Sequence, residues 1–311
     1  MKRVTVETSP SLALIKYWGK SDIAQNLPAT SSLAVTLDSL RTTTTVELSE
    51  SDEVYINNSK APIERFRPFF DNIRNATSSH SCFTAHSSVN FPIAAGLASS
   101  SSGLAALALG TTQLIDPAIP IETISSFARF GSASAARSVF GGFTVLKKDS
   151  LSSVPLHIEW SELRVIVAIV SSQTKPVPTR NAMELARTTS PFYKKWLEKS
   201  EEYFTEGLEA VKEKNLKKLG PLMRQSYLAM FSTMLTSTPP ILYWMPESVA
   251  LLQTCENLRN EGIEIWETMD AGPQVKMVCL ESDLPSIQSY LHATHPEVEF
   301  LIAKPGGAPR L

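Results

Sequence analysis

The character of the chain changes near residue 180, and that change constrains its fold more than any other feature. Before it, short β-branched and alternating segments dominate. Val4 and Val6 alternate with polar residues, "SLALIKY" (11–17) follows a Ser-Pro break, and "SSLAVTLDSLRTTTTVEL" (31–48) reads as a β-hairpin turning at Asp38 and Ser39. The patterning predicts further strands near 53–56 and 83–89, helices near 63–75 and 121–130, and strands near 142–147 and 164–170 that complete a mixed first half. From about Asn181 long amphipathic helices rich in Glu and Lys take over, as in "PFYKKWLEKSEEYFTEGLEAVKEKN". The tail then reads helix (246–260), strand (262–268), the turn "MDAGPQ", strand (275–280), helix (284–293) and strand (297–302), an order that suits a split β-α-β sandwich. At 311 residues the chain exceeds the span of one hydrophobic core. The expectation is an α+β fold of two domains, 1–180 and 181–311.

Charge and cysteine usage remove several function classes. Lys and Arg total 29 against 31 for Asp and Glu, a formal net charge of −2, so the basic surplus that non-specific nucleic-acid binding requires is missing. The N-terminal "MKRVTVETSPS" lacks the apolar stretch of a signal peptide, and "VIVAIV" (165–170) has the length of a buried strand, far short of a bilayer span. Cys82, Cys255 and Cys279 are odd in number and far apart, which argues against a disulfide framework or a zinc cage. The expectation is a cytoplasmic enzyme with reduced thiols and no membrane partner. The five histidines form no metal-ligand spacing, His86 and His157 read as structural, and there is no Ser-His-Asp grouping.

Five stretches carry possible chemistry. "PIAAGLASSSSGLAALALG" (92–110) has Gly96, Gly103 and four serines, without the Gly-Lys-Ser/Thr ending of the common P-loop. Small residues entering a helix let backbone N–H groups approach a phosphate, and a serine there can ligate Mg²⁺; close helix packing accounts for the same residues equally well. "IKYWGKSDIAQNLPATSS" (15–32) flanks an aromatic pair with Lys16 and Lys20, either solvated or facing a cleft. "GSASAARSVFGG" (131–142) sets Ser132, Ser134 and Arg137 among small residues, where Arg can grip a carboxylate or phosphate in two-point fashion or merely cap and bridge. "KPVPTRNAM" (175–183) offers Lys175, Thr179 and Arg180 at the domain junction, as anion ligands or as linker polarity. In "ETMDAGPQVKM" (267–277), Asp270 before Ala-Gly-Pro is ordinary turn chemistry, yet a carboxylate among so many cations can also orient or deprotonate a hydroxyl.

Taken together, these stretches resemble the mevalonate diphosphate decarboxylase family of the GHMP kinase superfamily. The resemblance rests on "IKYWGK", "NLP", "SSLAVTL", "LRTTTTV", "NFPIAAGLASS", "GSASAARSVFGG", "TRNAM", "TPPILY" and "DAGP", which run in family order from residue 15 to 273. It implies a ribosomal-protein-S5-like N-terminal domain and a ferredoxin-like C-terminal domain with the active site between them. It also implies ATP and Mg²⁺ as cofactors, mevalonate 5-diphosphate as substrate, and a homodimer.

Carried over residue by residue, the resemblance implies that Asp270 orients or deprotonates the C3 hydroxyl. Arg137 then holds the C1 carboxylate, and Lys16 stabilises charge around the transferred phosphoryl group. Tyr17, Lys20, Ser132, Ser134, Thr179, Arg180, Met183 and Ala271 bind the substrate. Asn90, Pro92, Ala95, Gly96, Leu97, Ala98, Ser99 and Ser100 serve ATP, with Ser100 the catalytic loop serine and the Mg²⁺ ligand.

Several positions depart from the family pattern. Ser101 and Ser102 stand where alanine is frequent, Ala133 where glycine is, and Ala34 replaces a common serine. Gln274 stands for asparagine, Phe231 for histidine and Pro178 for serine, and "SSVNF" has one asparagine where two are usual. Because some of these touch the diphosphate-binding segments, decarboxylation of the 5-monophosphate to isopentenyl phosphate stands as the alternative. The Lys16, Arg137 and Asp270 set is intact, which separates the chain from relatives that only phosphorylate C3 and from a regulator that has lost catalysis.

Overall fold

The computed structural model describes residues 2–91 and 99–311. In chain order, strands β1 (Arg3–Thr8), β2 (Ser11–Ile15), β3 (Lys20–Asp22), β4 (Leu27–Pro28), β5 (Ser32–Thr36), β6 (Thr42–Ser49), β7 (Glu53–Ile56) and β8 (Ser59–Lys60) precede helix α1 (Arg67–Thr77). Strand β9 (Cys82–Val89) leads to α2 (Ser99–Ile115), α3 (Ile121–Gly131), the single turn α4 (Ala135–Ser138), β10 (Phe143–Leu146), β11 (Val154–Pro155) and β12 (Leu163–Ile169). Helices α5 (Thr179–Thr189), α6 (Tyr193–Lys212), α7 (Leu216–Leu235) and α8 (Pro246–Asn260) follow, and β13 (Ile265–Met269), β14 (Val275–Leu280), α9 (Leu284–Thr294) and β15 (Glu299–Ala303) close the chain.

Three main sheets result. The first has the order β1-β6-β9-β7-β8, the second β11-β10-β5-β2, and the third β13-β14-β12-β15. On β6, Thr42, Thr44 and Val46 are buried and alternate with half-buried neighbours, because only one face of that sheet is covered. The cover is α2, whose Ala105, Ala106 and Ala108 are fully buried in the core with Val6, Val46 and Phe70. Every residue of β5 is buried, as in a strand enclosed on both faces.

That contrast overturns the expected hairpin over 31–48. β5 pairs with β2 and β10, whereas β6 pairs with β1 and β9, so the two strands belong to different sheets. Asp38 and Ser39 lack the glycine or asparagine that a two-residue hairpin turn wants. Instead the C-terminal tail pins the connection: the Lys304 N–H donates to Asp38 Oδ1 at 2.9 Å, and the Asp38 N–H donates to the Lys304 carbonyl at 3.1 Å.

A second expectation fails in the same way. The strand at 164–170 does not complete the first half; β12 lies inside the third sheet, with Val165 opposite both Val278 of β14 and Ala303 of β15. A uniformly apolar run has no polar face to say which sheet it joins, and here both of its faces are needed. Ile166 and Ala168 pack with the helical core, while Val165 and Val167 pack with the second sheet's core.

The α6–α7 pair joins the layers. Gly207 of α6 lies so close to Ile15 that a Cβ there would come within 2.7 Å of its side chain, and Gly220 of α7 sits on the Trp266 indole, where a Cβ would approach to 2.1 Å. Among the described residues no helix is long and apolar enough to cross a membrane. All three cysteines are free thiols; burial pushes Cys279 up to about 12 and Cys255 well above its usual value, which leaves both unreactive.

Gly220→Ala tests the contact that seats α7 on β13. The added methyl must displace an indole rather than a flexible chain end, so a loss of about 1–3 kcal/mol is expected in urea unfolding. An unchanged midpoint shows that the Trp266 ring moves aside at no cost.

Candidate active site

Four charged side chains from four separate elements converge beside the third sheet. Lys16 follows the last residue of β2, Arg137 lies on α4, Asp270 follows β13, and Lys276 is the second residue of β14. Lys16 is 1% exposed, and its Nζ donates to Asp270 Oδ1 at 2.7 Å and to the Ala13 carbonyl at 2.7 Å. Its backbone N–H donates to Ser226 Oγ of α7 at 2.9 Å, so the seating of that helix fixes where the ammonium stands. Lys276 Nζ lies 3.2 Å from Asp270 Oδ2. Both carboxylate oxygens are therefore engaged by ammonium groups, while 27% of the Asp270 side chain remains exposed.

The electrostatics follow from burial. Desolvation lowers the Lys16 pKa to about 8; Asp270 opposes the shift, and Lys276 and Arg137 add to it. Burial favours the neutral form of Asp270, but the charges of Lys16 and Lys276 outweigh it and hold the carboxyl well below the usual range. Arg137, 2% exposed, is lowered to about 10 by burial. Its Nη1 donates to Ser32 Oγ at 2.6 Å, its Nε reaches Ser11 Oγ at 3.5 Å, and no carboxylate among the described residues forms an ion pair with it. A buried guanidinium held only by hydroxyls is costly unless an anion arrives to meet it.

Around this centre lie most of the other expected residues. Burial pushes the Tyr17 phenol up, against the pull of Arg137. Burial and Arg180 lower Lys20 to about 8, and Lys20, Arg180, Asn181, Met183 and Glu184 line a groove of about 440 Å³. Ser132 and Ser134, between α3 and α4, stand with hydroxyls 3.1 Å apart. Lys175 Nζ donates to Thr179 Oγ1 at 2.5 Å and to the Ala271 carbonyl at 2.7 Å, tying the start of α5 to the Asp270 turn; burial lowers it to about 8.

Asn90 is placed differently. Its side chain accepts from the Arg41 N–H at 2.7 Å and donates to the Ser39 carbonyl at 3.0 Å, bracing the connection between β5 and β6. Ser100 is exposed in the first turn of α2, whereas Ser101 and Ser102 are buried. Ser102 Oγ meets Thr42 Oγ1 at 2.7 Å, and Ser138 Oγ reaches Ser101 Oγ at 3.4 Å. Pro92, Ala95, Gly96, Leu97, Ala98 and the side chain of Ser99 lie outside the described residues.

The departures from the family pattern have local explanations. Gln274 is buried and accepts the Val170 N–H at 2.5 Å, locking the Asp270 turn to the end of β12. Phe231 is core, packed at 5.0 Å from Trp244 and 6.3 Å from Tyr227. Pro178 occupies the N-cap of α5 and supplies no side-chain cap. Lys276 is the site residue that motif reading missed; its one signal was a lysine inside the apolar run "VKMVCL".

Comparison with known proteins shows what the chain as a whole is similar to. Residues 8–154 match the model of the diphosphomevalonate decarboxylase-like N-terminal domain, and residues 165–304 that of the mevalonate 5-diphosphate decarboxylase C-terminal domain. The diphosphomevalonate decarboxylase of Candida albicans is 31% identical over 94% of this chain and 88% of its own length. That of Danio rerio is 32% identical over 96% and 81%. Among solved structures, mevalonate diphosphate decarboxylase from Staphylococcus aureus superposes with a TM-score of 0.92 at 32% identity, covering 99% of this chain and 97% of that one. The structure of MDDEF in complex with MVAPP, AMPPCP and magnesium gives 0.92 at 32%, covering 99% and 98%.

Lys16, Lys20 and Lys175 should titrate near 8 instead of 10.5. In NMR spectra of the protein bearing ¹³C-dimethylated lysines, three resonances are expected to move through that range, and Lys16→Met removes one of them. A spectrum in which no lysine titrates below roughly pH 9.5 overturns the burial argument for all three.

Proposed function

The chain belongs to the diphosphomevalonate decarboxylase family, and from that premise we infer that it converts (R)-mevalonate 5-diphosphate and ATP to isopentenyl diphosphate, CO₂, ADP and phosphate. The observation that carries the reading is the pairing of a clamped, ionised Asp270 with a buried Arg137 that meets no protein carboxylate. A substrate that brings a hydroxyl for the first and a carboxylate for the second completes both.

On this reading Asp270 accepts a hydrogen bond from the C3 hydroxyl and aligns its oxygen with the γ-phosphorus of ATP. The hydroxyl oxygen forms the new O–P bond as the bond to ADP breaks, and the hydroxyl proton passes to the Asp270 carboxylate and from there to water. Lys16, at 2.7 Å from Asp270, stands beside the charge that develops there. Arg137 holds the C1 carboxylate ionised. When the C3–O bond breaks, phosphate leaves with that electron pair, and the C1–C2 pair becomes the C2=C3 double bond as CO₂ departs. A tertiary hydroxide is a poor leaving group and a phosphate a good one, so no separate electron sink is needed. Tyr17, Lys20, Ser132, Ser134, Thr179 and Arg180, with Met183 and Ala271 beside them, receive the diphosphate end.

This reading takes ATP and Mg²⁺ as cofactors, with Ser100 exposed in the first turn of α2. The related MDDEF binds MVAPP, AMPPCP and magnesium. Among the described residues no group of three His, Cys, Asp or Glu side chains is arranged to hold a metal. A Mg²⁺ held chiefly by nucleotide phosphates and water, with Ser100 as its protein oxygen, requires none. When bound, such an ion neutralises charge on the transferred phosphoryl group.

The test offers ATP and Mg²⁺ with mevalonate, its 5-phosphate and its 5-diphosphate in separate reactions, following ADP and CO₂. Equal release of both from the 5-diphosphate is expected. ADP without CO₂ rules out decarboxylation, and preference for the 5-phosphate reassigns the substrate. Asp270→Asn should lower kcat by about 10²–10⁴-fold with KM little changed; near-normal turnover removes Asp270 from its role.

A further inference from the structure

Lys276 has no part in the chemistry just described, yet it occupies a demanding position. It is the second residue of β14, paired with Val167 on β12 and Thr268 on β13, so its backbone is fixed from both sides. By strand alternation it shares a face with Val278, which packs with Val165 and Val167 in the core between the second and third sheets. Its side chain is 3% exposed. An ammonium group in such a place costs several kcal/mol in lost hydration unless it meets a negative partner. That partner is the free oxygen of Asp270.

Asp270 itself starts a tight turn, with the Gly272 N–H donating to its carbonyl at 2.7 Å, and its side chain can rotate about the Cβ–Cγ bond. Lys16 alone, on Oδ1, would leave that rotation open. A second anchor on Oδ2, from a strand on the far side, closes it.

We propose that Lys276 is a positioning residue for the reaction: with Lys16 on Oδ1 and Lys276 on Oδ2, the Asp270 carboxylate is held in one orientation toward the substrate hydroxyl. The proposal rests on the decarboxylase reading above. It separates Lys276 from a residue that only fills the sheet, because the same charge acts on its neighbours. The charged groups facing Asp270 are Lys16 at the end of β2, Arg137 on α4, Lys175 before α5 and Lys276 on β14. Lys276 favours the ionised form of Asp270 and disfavours the charged forms of Lys16 and Lys175. Its removal must therefore move all three titrations in one direction, upward.

The experiment is the pH profile of kcat with ATP, Mg²⁺ and mevalonate 5-diphosphate for the wild type, Lys276→Met and Lys276→Arg. Methionine keeps the apolar stem and loses the charge. The expected result for Lys276→Met is a kcat lowered by about ten- to a hundredfold, an acid limb displaced upward by at least about one pH unit, and a basic limb displaced the same way. KM should change little, and Lys276→Arg should return the wild-type profile. A methionine variant whose profile superimposes on the wild type overturns the proposal, however low its kcat. If that variant does not fold, or if the wild type proves inactive on this substrate, which would refute the decarboxylase reading and not this one, ¹³C NMR of the wild-type carboxyls decides. The Asp270 resonance should stay below the ordinary carboxyl range, showing no titration above roughly pH 3, and titration at roughly pH 4 or higher overturns the proposal.

Discussion

The ion pair between Lys16 and Asp270 joins two residues 254 positions apart in the chain, one at the end of a strand in the second sheet and one at the end of a strand in the third. Neither sheet could present the pair alone. Forming it requires α7 to lie where Ser226 catches the Lys16 N–H, which requires Gly220 to let the helix down onto Trp266. The layers behind the site thus set the geometry of a single 2.7 Å contact, and an error of 1 Å in their seating would be felt as lost catalysis.

Charge balance sets that contact apart from an ordinary stabilising ion pair. Four cations, Lys16, Arg137, Lys175 and Lys276, face one carboxylate, in a chain whose formal net charge is −2. The site is a local positive well in a slightly acidic protein, suited to drawing in a polyanionic substrate. Burial depresses Lys16 and Lys175 to about 8, with the neighbouring Lys276 adding to the shift, which keeps them charged at neutral pH but near the edge of the range. A substrate carboxylate on Arg137 and phosphate oxygens nearby would restore balance and raise them again.

Much of this was legible in the sequence, and most of what was not shares a cause. Short motifs singled out Lys16, Arg137 and Asp270, which the structure brings together, because each sits in a turn, a break or a glycine-bounded segment, where local chemistry is written locally. The periodicity of the helices α5 to α9 was equally plain, since one apolar face per helix is a local pattern. Sheet membership was not: the segments that became β5, β6 and β12 all read as strands, but which strand each meets depends on faces contributed by distant chain. Lys276 was missed for another reason: it lies in the same stretch as Asp270, but an alternating strand does not say that its side chain turns back onto the carboxylate six residues earlier. Asn90 illustrates the converse, a residue placed in a motif by resemblance whose amide is spent on bracing the backbone at Ser39 and Arg41.

The long helices that begin after residue 180 have a role that amphipathicity alone does not suggest. Helix α6 is the mould for the segment that carries Tyr17 and Lys20. Gly19 adopts a φ of 96°, in the region that favours glycine, and a Cβ there would lie 2.0 Å from the Tyr193 hydroxyl. One turn on, the Trp196 indole N–H donates to the Trp18 carbonyl at 3.0 Å, and further along Glu201 accepts from the Ser31 N–H at 2.7 Å and its hydroxyl at 2.8 Å. Helix α6 thus grips the loop that carries Tyr17 and Lys20 at both ends, and the Gly207 contact with Ile15 aligns the strand that delivers Lys16. The helical half of the chain fixes the backbone of the other half, and so the spacing between Lys16, Tyr17 and Lys20 on which recognition of a diphosphate would depend.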